Sequence, residues 1–388
     1  MRVPNLPIEG PPGRARNFGI LSSYPPTACG LATFTAALAS GLAANDAEVG
    51  IVRVVDGGGR AATDERVIGE LVNGSPRSVL ASADLLNQCD VAIVQHEYGL
   101  YGGTDGDEVL DLLGGLHVPS IVIAHTILTN PTPHQRSVLN EVAALAERVV
   151  VMTEAARARL CGGFDVDASK VDTIAHGAAI PARRVVPDPR DAPTMLTWGL
   201  IGPGKGIERV IEAVPTLRDL PLPPRYLVAG RTHPKVLAAQ GDSYRRARME
   251  QAQNLGISSS VVFDADYRDV SSLTALIQSS SVVVLPYDSK DQVTSGVLVD
   301  AIAAGRPVVA TAFPHAVELL ATGAGIVVEH DDPDALARAL RRVLTRPDQA
   351  AAMAAEASRI APSLGWPVVA GEYLHLANRL LAERLALV

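Results

Sequence analysis

A lysine set among glycines directly after an apolar run suits phosphate binding, and residues 199–214 (GLIGPGKGIERVIEAV) have that form. Four glycines let the backbone approach an anion, Lys205 brings an ammonium, and the amphipathic stretch behind them presents a helix N-terminus. The segment is not a Walker loop, because Gly206 stands where Ser or Thr is required, and a solvated loop lysine is the competing reading of Lys205. A second segment, DQVTSGVLVDAIAAGRPVVAT (291–311), opens a helix at Thr294, Ser295 and Gly296. Small residues at a helix start leave amides and the positive end of the dipole open to a diphosphate, and Asp300 further along can reach a neutral hydroxylated group. Plain N-capping by Thr294 or Ser295, with Asp300 as a surface carboxylate, fits the same residues. Arg231, just after RYLVAG (225–230), is either a second positive charge or an exposed loop arginine.

Histidines close three of the apolar runs or follow them. His125 ends SIVIAH (120–125), His176 ends VDTIAH (171–176), and His96 with Glu97 follows VAIVQ (91–95). Each can face a ligand's hydroxyls or be a strand-end residue bonded to backbone. His233 and His315 stand beside prolines and read as turn residues. Asp165 with Asp167, and Asp264 with Asp266, have the spacing of a metal-binding pair but read as solvated turns, so no metal site is expected.

The elements that must carry these groups follow from short Val/Ile-rich runs alternating with helical patterns, the rhythm of parallel sheets covered on both faces. The first half offers strands at 17–22, 49–55, 91–95, 120–125, 148–153 and 171–176. Leu31, Phe34, Leu38 and Leu42 mark a helix after Cys29-Gly30, and another spans 133–146. Residues 181–193 carry four prolines and no apolar period, as a linker does, and the rhythm restarts with strands at 194–199, 225–230, 260–264, 281–287, 306–313 and 325–329. Helices follow at 333–345 and 348–359, and after the break at Trp366-Pro367 another at 368–387. The expectation is therefore an α/β protein of two doubly wound, Rossmann-like domains, 17–180 and 194–365, facing a central cleft, with residues 1–16 as a flexible tail and 366–388 as a terminal helix.

Composition narrows the partners. The chain of 388 residues is long for one core, and its formal net charge of −8 lacks the basic footprint of a nucleic-acid binder. Aromatic residues are 4% of the chain, which argues against stacking platforms for long polymers. Cys29, Cys89 and Cys161 are too few and too scattered for a disulfide framework. No apolar run is long enough to span a bilayer, and the expected location is the cytoplasm.

Taken in order, the motifs resemble glycosyltransferase family 4, the large retaining group of nucleotide-sugar enzymes with the GT-B fold. SSYPPTACGLATFTAAL (22–38) resembles the family's glycine turn after the first strand, and GLIGPGKG its GR…KG segment. Gln292-x7-Asp300 with AIAAGRPVVAT (301–311) resembles its Glu-x7-Glu motif and the run behind it. QHEYGLYGG (95–103), GRTHP (230–234) and GDSYR (241–245) resemble a bacterial mannosyl- or glucosyltransferase-like subgroup. The resemblance implies that Lys205 with the amides of Ser295 and Gly296 holds the donor diphosphate, where Arg231 can supply the second positive charge, that Gly30 lets a loop close over it, and that Asp300 binds the ribose. It places His125 and Gln292 at the donor sugar, with His96, Glu97 and His176 as further sugar or acceptor contacts. Two positions depart from the family: Gln292 replaces a glutamate, and Leu200 stands where an arginine is usual.

The implied activity is retaining transfer of a hexosyl unit, mannose or glucose, from a GDP- or UDP-sugar to a hydroxyl on a small molecule, glycan or glycolipid, with no cofactor and no essential metal. The resemblance also implies that the terminal helix returns to the first domain. Acceptor recognition falls to loops near 57–75 and 98–106. The alternatives are another GT-B chemistry, a nucleotide-sugar 2-epimerase or a sugar phosphorylase, and a nucleotide-sugar-binding protein without catalysis.

Overall fold

The computed structural model describes residues 15–57, 64–185, 187, 188, 190–266, 268–330, 332 and 334–386. Contacts divide the chain into two units, residues 1–177 with 366–388, and residues 178–365.

In the first unit the chain runs β1 (Asn17–Ser22), α1 (Gly30–Ala43), β2 (Glu48–Val55), β3 (Val67–Val72), α2 (Pro76–Leu86), β4 (Val91–His96), α3 (Glu108–Gly114), β5 (Ser120–Ala124), α4 (Pro133–Leu145), β6 (Arg148–Val151), α5 (Glu154–Gly163) and β7 (Val171–Thr173). All pair in parallel in the order β3-β2-β1-β4-β5-β6-β7. β4 and β5 are buried at every position, as expected of strands covered on both faces. The order reverses between β1 and β4, and open parallel sheets bind ligands at the carboxyl ends beside such a switch point.

Six of these strands are legible in the sequence, and β3 is not. Its Val67–Val72 run is broken by Gly69 and Glu70 and only half buried, the pattern of an edge strand. The stretch 57–75, expected as a loop, therefore contains a strand, held to β2 by Arg53 and Glu70 at 2.7 Å. The Tyr24 hydroxyl also donates to Asp64 Oδ2 at 2.6 Å just before it. Residues 58–63 of that loop lie outside the described residues, as do residues 1–14 of the expected tail. Ala15 and Arg16, also assigned to the tail, are fastened: the Ala15 amide donates to Asn378 Oδ1 and the Arg16 amide to Asp90 Oδ2.

The second unit repeats the plan with β8 (Thr194–Trp198), α6 (Ile207–Ala213), β9 (Arg225–Ala229), α7 (Pro234–Gln240), α8 (Ser243–Asn254), β10 (Val261–Asp264), α9 (Val270–Ser279), β11 (Val282–Leu285), α10 (Gly296–Ala303), β12 (Val308–Thr311), α11 (Pro314–Leu320), β13 (Gly325–Val328), α12 (Ala335–Thr345) and α13 (Pro347–Ile360). Its parallel sheet has the order β10-β9-β8-β11-β12-β13, with the switch point between β8 and β11. Residues 178–185 are fastened to this unit: the Ala178 amide donates to Leu364 O at 2.7 Å, and the buried Arg306 donates to the carbonyls of Ser280 and Val185.

The last helix, α14 (Trp366–Ala386), belongs to the first unit. It lies so close to α1 that a Cβ on Gly41 would sit 2.7 Å from Trp366 O. Val369, Tyr373, Leu376 and Leu380 join Phe34, Leu38 and Leu42 in one core cluster.

Candidate functional site

Two loops meet at the switch point of the second sheet. The loop after β8 carries Gly199 to Gly206, and the loop after β11 carries Pro286 to Ser295. They fit each other through glycine geometry. Gly206 has φ +62, and a Cβ there would stand 1.7 Å from Pro286 O, so no other residue fits. The Asp288 amide donates to Gly204 O at 3.0 Å. A Cβ on Gly199 would meet the Val297 side chain, in the first turn of α10, at 3.9 Å.

This packing puts the Lys205 ammonium 4.3 Å from the centre of the Tyr287 ring. Tyr287 is itself buried and stacked on Phe313 at 5.2 Å, so the ring is a fixed support under a movable charge. The Lys205 charge also reaches His233, which it helps to hold below the usual histidine range after burial and Lys235 have lowered it.

Helix α10 presents its N-terminus in the same place, and of the two readings that the sequence left for Ser295 the structure shows the cap. Ser295 was expected to give its backbone N–H to phosphate, but that N–H donates to His315 Nδ1 at 2.8 Å. Its hydroxyl is engaged as well, accepting from the Leu298 amide at 3.3 Å as the N-cap. Ser295 is therefore a structural cap. The first-turn amides of Gly296 and Val297 have no partner among the described residues. Thr311, at the end of β12, donates to Tyr287 O at 2.6 Å and ties the neighbouring strand to the same loop.

Asp300 lies on α10, half-buried, with no hydrogen-bond partner for its carboxyl among the described residues. Burial alone pushes it up to about 7. Gln292 donates through Nε2 to Thr294 O at 3.1 Å and braces the loop, while its Oε1 has no partner among the described residues. Arg231 is exposed; its carbonyl accepts from the Ile201 amide at 2.8 Å, which sews the end of β9 to the glycine loop. Arg245, a member of the GDSYR motif, donates to Gly230 O, and Tyr244 donates to Glu208 Oε2 at 2.7 Å, so both reinforce this corner of the sheet.

The first unit gathers the histidines. His96, His125 and His176 come from the carboxyl ends of β4, β5 and β7, and His125 and His176 meet on the Phe34 ring of α1 at 4.9 and 5.1 Å. Trp366 closes on the same ring at 4.9 Å. Burial drives His125 down to about 3 and His96 and His176 to about 4, with His176 and His96 also lowering His125, so all three are neutral at pH 7.

Hydrogen bonds select the His125 tautomer. The Thr35 hydroxyl donates to Leu31 O at 2.8 Å and so must accept from Gln95 Nε2, also at 2.8 Å. Gln95 Oε1 is then an acceptor for His125 Nε2–H at 2.9 Å, which leaves the Nδ1 lone pair for another partner. His176 donates Nδ1–H to Gly177 O at 2.7 Å. Both ring nitrogens of His96 are buried with no hydrogen-bond partner among the described residues, and its ring lies edge-on to Tyr98, whose hydroxyl likewise has none among them. Glu97 accepts from the Thr126 hydroxyl at 2.6 Å. At Gly30, the first residue of α1, a Cβ would meet nothing within 4 Å among the described residues, so their packing does not demand glycine there.

Gln95, Thr35 and Tyr287 were not singled out from the sequence, and His315 was given no part in the site. Gln95 was visible as an amide inside a buried apolar strand. His315, read as a turn residue, is buried and bonded to the α10 cap, a contact across 20 residues that no local pattern signals.

The acidic pairs cap turns. Asp264 accepts from Arg268 and from the Asp266 amide, and Asp167 accepts from the Ser169 amide. Among the described residues no group of three His, Cys, Asp or Glu is placed to hold a metal, and no helix is long and apolar enough to cross a membrane.

Comparison with known proteins agrees with this fold. Residues 192–346 match the family model described as glycosyl transferases group 1. The chain is similar to D-inositol 3-phosphate glycosyltransferase of Corynebacterium urealyticum, 29% identical over 252 residues that cover 61% of this chain and 57% of that protein. It thus spans under two thirds of the length of that relative. Among solved structures, sucrose-phosphate synthase from Thermosynechococcus elongatus superposes with a TM-score of 0.73 at 18% identity, covering 95% of this chain and 100% of that one. Anabaena Alr3699/HepE in complex with UDP superposes with a TM-score of 0.71 at 18% identity, covering 96% and 100%.

Proposed function

From the premise that this chain is a GT-B-fold relative of the group 1 glycosyltransferases, we propose that it transfers a hexosyl unit, mannose or glucose, from a GDP- or UDP-sugar to a hydroxyl acceptor with retention at the anomeric carbon. The observation that supports this reading is the packing of the Lys205 glycine loop onto the loop and first turn of α10 at one switch point, with Asp300 further along the same helix. When the bond from the anomeric carbon to the diphosphate breaks, negative charge grows on the leaving oxygen. The Lys205 ammonium and the amides of Gly296 and Val297 stabilise it, and donors fixed in place before the reaction lower such a barrier more than other single effects do. Arg231 adds charge from the rim. Asp300 accepts hydrogen bonds from the ribose hydroxyls, and Gln292 Oε1 accepts from a hydroxyl of the donor sugar.

In the first unit, neutral His125 offers Nδ1 as an acceptor to a sugar hydroxyl, with His176, His96 and Glu97 lining the same end of the sheet. Gly30 leaves room for a phosphate at the start of α1. The reaction needs no cofactor and no divalent ion, because the diphosphate charge is met by the ammonium and the amides.

The test begins with binding. UDP, GDP and ADP are titrated calorimetrically into the protein, and the nucleotide that binds is supplied as its glucose or mannose conjugate with inositol or D-inositol 3-phosphate as acceptor. Transfer is expected in the wild type, and Lys205→Ala is expected to lose roughly 10²-fold or more in kcat. Binding of a nucleotide sugar without transfer would leave a binding protein. Unchanged turnover in Lys205→Ala would overturn the role given to that lysine.

A further inference from the structure

We propose that His315 is the positioning residue of the donor-diphosphate site, the group that aims the first-turn amides of α10. It clamps the loop before α10 at two points. Its backbone N–H donates to Gln292 O at 3.3 Å, and its ring Nδ1 accepts from the Ser295 N–H at 2.8 Å. The residues between these points are Val293 and Thr294, and Gln292 is further braced onto Thr294 O. Ser295 is thereby held from both sides, by His315 at its amide and by the Leu298 amide at its hydroxyl.

A helix aims its first free amides through the orientation of its cap. With Ser295 locked, the N–H groups of Gly296 and Val297 have one direction, and the loop that carries the Lys205 support, Tyr287, joins the same clamp through Phe313. His315 follows Phe313 by two residues, so the clamp and the aromatic support share the segment that begins α11. His315 is buried, and its Nδ1 is the acceptor, which makes the neutral Nε2–H form the competent one.

The inference rests on the donor site proposed above, and the experiment separates the two. An asparagine Oδ1 can stand where His Nδ1 stands, whereas a glutamine Oε1 stands where Nε2 does. His315→Asn, His315→Gln and His315→Ala are compared with wild type for the affinity of whichever of UDP, GDP and ADP the wild type binds, and for donor KM and kcat. The expected result is near-native affinity in His315→Asn, with Kd and donor KM raised roughly tenfold in His315→Gln and His315→Ala, the loss of one buried hydrogen bond. Donor KM and kcat should both worsen in His315→Gln and His315→Ala and both recover in His315→Asn, since the amides hold the diphosphate in the ground state and hold it more tightly as charge grows on the leaving oxygen. Thermal unfolding is run on each variant. Equal affinities in His315→Asn and His315→Gln would overturn the proposal, as would failure of all three variants to fold, which would make position 315 a packing site. A wild type that binds none of the three nucleotides would instead remove the donor site itself, and the positioning role with it.

Discussion

Asp300 carries a pH signature that tests its environment apart from any assay of turnover. Burial raises its folded-state pKa from the ordinary 3.8 to about 7. Between about pH 4 and pH 7 the folded protein keeps a proton that the unfolded chain has released, so stability falls as pH rises through that window. Asp300→Asn removes the titration. The variant is expected to melt higher than wild type at pH 8, to match it near pH 4, and to bind the nucleotide more weakly because an amide accepts fewer hydroxyls than a carboxylate. Thermal unfolding at intervals across pH 4–8 reads the first effect and calorimetry the second. Parallel melting curves for the two proteins would mean that the carboxyl is solvated.

At the scale of elements, the glycine loop and the loop after β11 act as one unit because of Gly206. An alanine there must adopt a left-handed φ of +62, which costs about 1–2 kcal/mol, and must also displace Pro286 O, since its Cβ would lie 1.7 Å away. The second cost dominates, because the obstacle is backbone and has to move. Gly206→Ala is therefore expected to lower the melting temperature by several degrees and to abolish nucleotide binding, while Gly30→Ala leaves stability unchanged, its Cβ meeting nothing within 4 Å. Differential scanning calorimetry with and without nucleotide checks both. Binding retained in Gly206→Ala would show that Lys205 and α10 do not depend on the fit between the loops.

For the whole molecule, the first unit is discontinuous in sequence. Residues 1–177 are completed by 366–388, and α14 brings Val369, Tyr373, Leu376 and Leu380 into the core beside Phe34, Leu38 and Leu42. Burying side chains of this size is worth roughly 1.5–3 kcal/mol each. Four of them match most of the roughly 5–15 kcal/mol that holds a typical domain folded. A chain ending at Gly365 is expected to lose the folded first unit and to keep the second, whose described core draws nothing from α14. Hydrogen exchange followed by peptide mapping distinguishes the two. Native protection across β1, β4 and β5 in the truncated protein would contradict the account.

What the sequence determined by itself was whatever depends on local order: the α/β class, twelve of the thirteen strands, the helices after Gly30 and at 133–146, and the glycine-lysine and Thr-Ser-Gly segments that follow β8 and β11. These are legible because buried parallel strands are continuous apolar runs and because helix starts and tight loops demand particular residue types. Edge strand β3 escaped, since half-burial breaks the run at Gly69 and Glu70. Which polar groups meet was decided only by the tertiary structure. Ser295 reads equally as a phosphate ligand or a cap and is a cap, His315 reads as a turn residue and is its partner, and His125 has its tautomer set by Gln95 and Thr35. The Ser295–His315, Gln95–His125 and Gln95–Thr35 bonds join residues 20, 30 and 60 positions apart, and which helix comes to lie beside which strand end is decided by packing that no local spacing encodes.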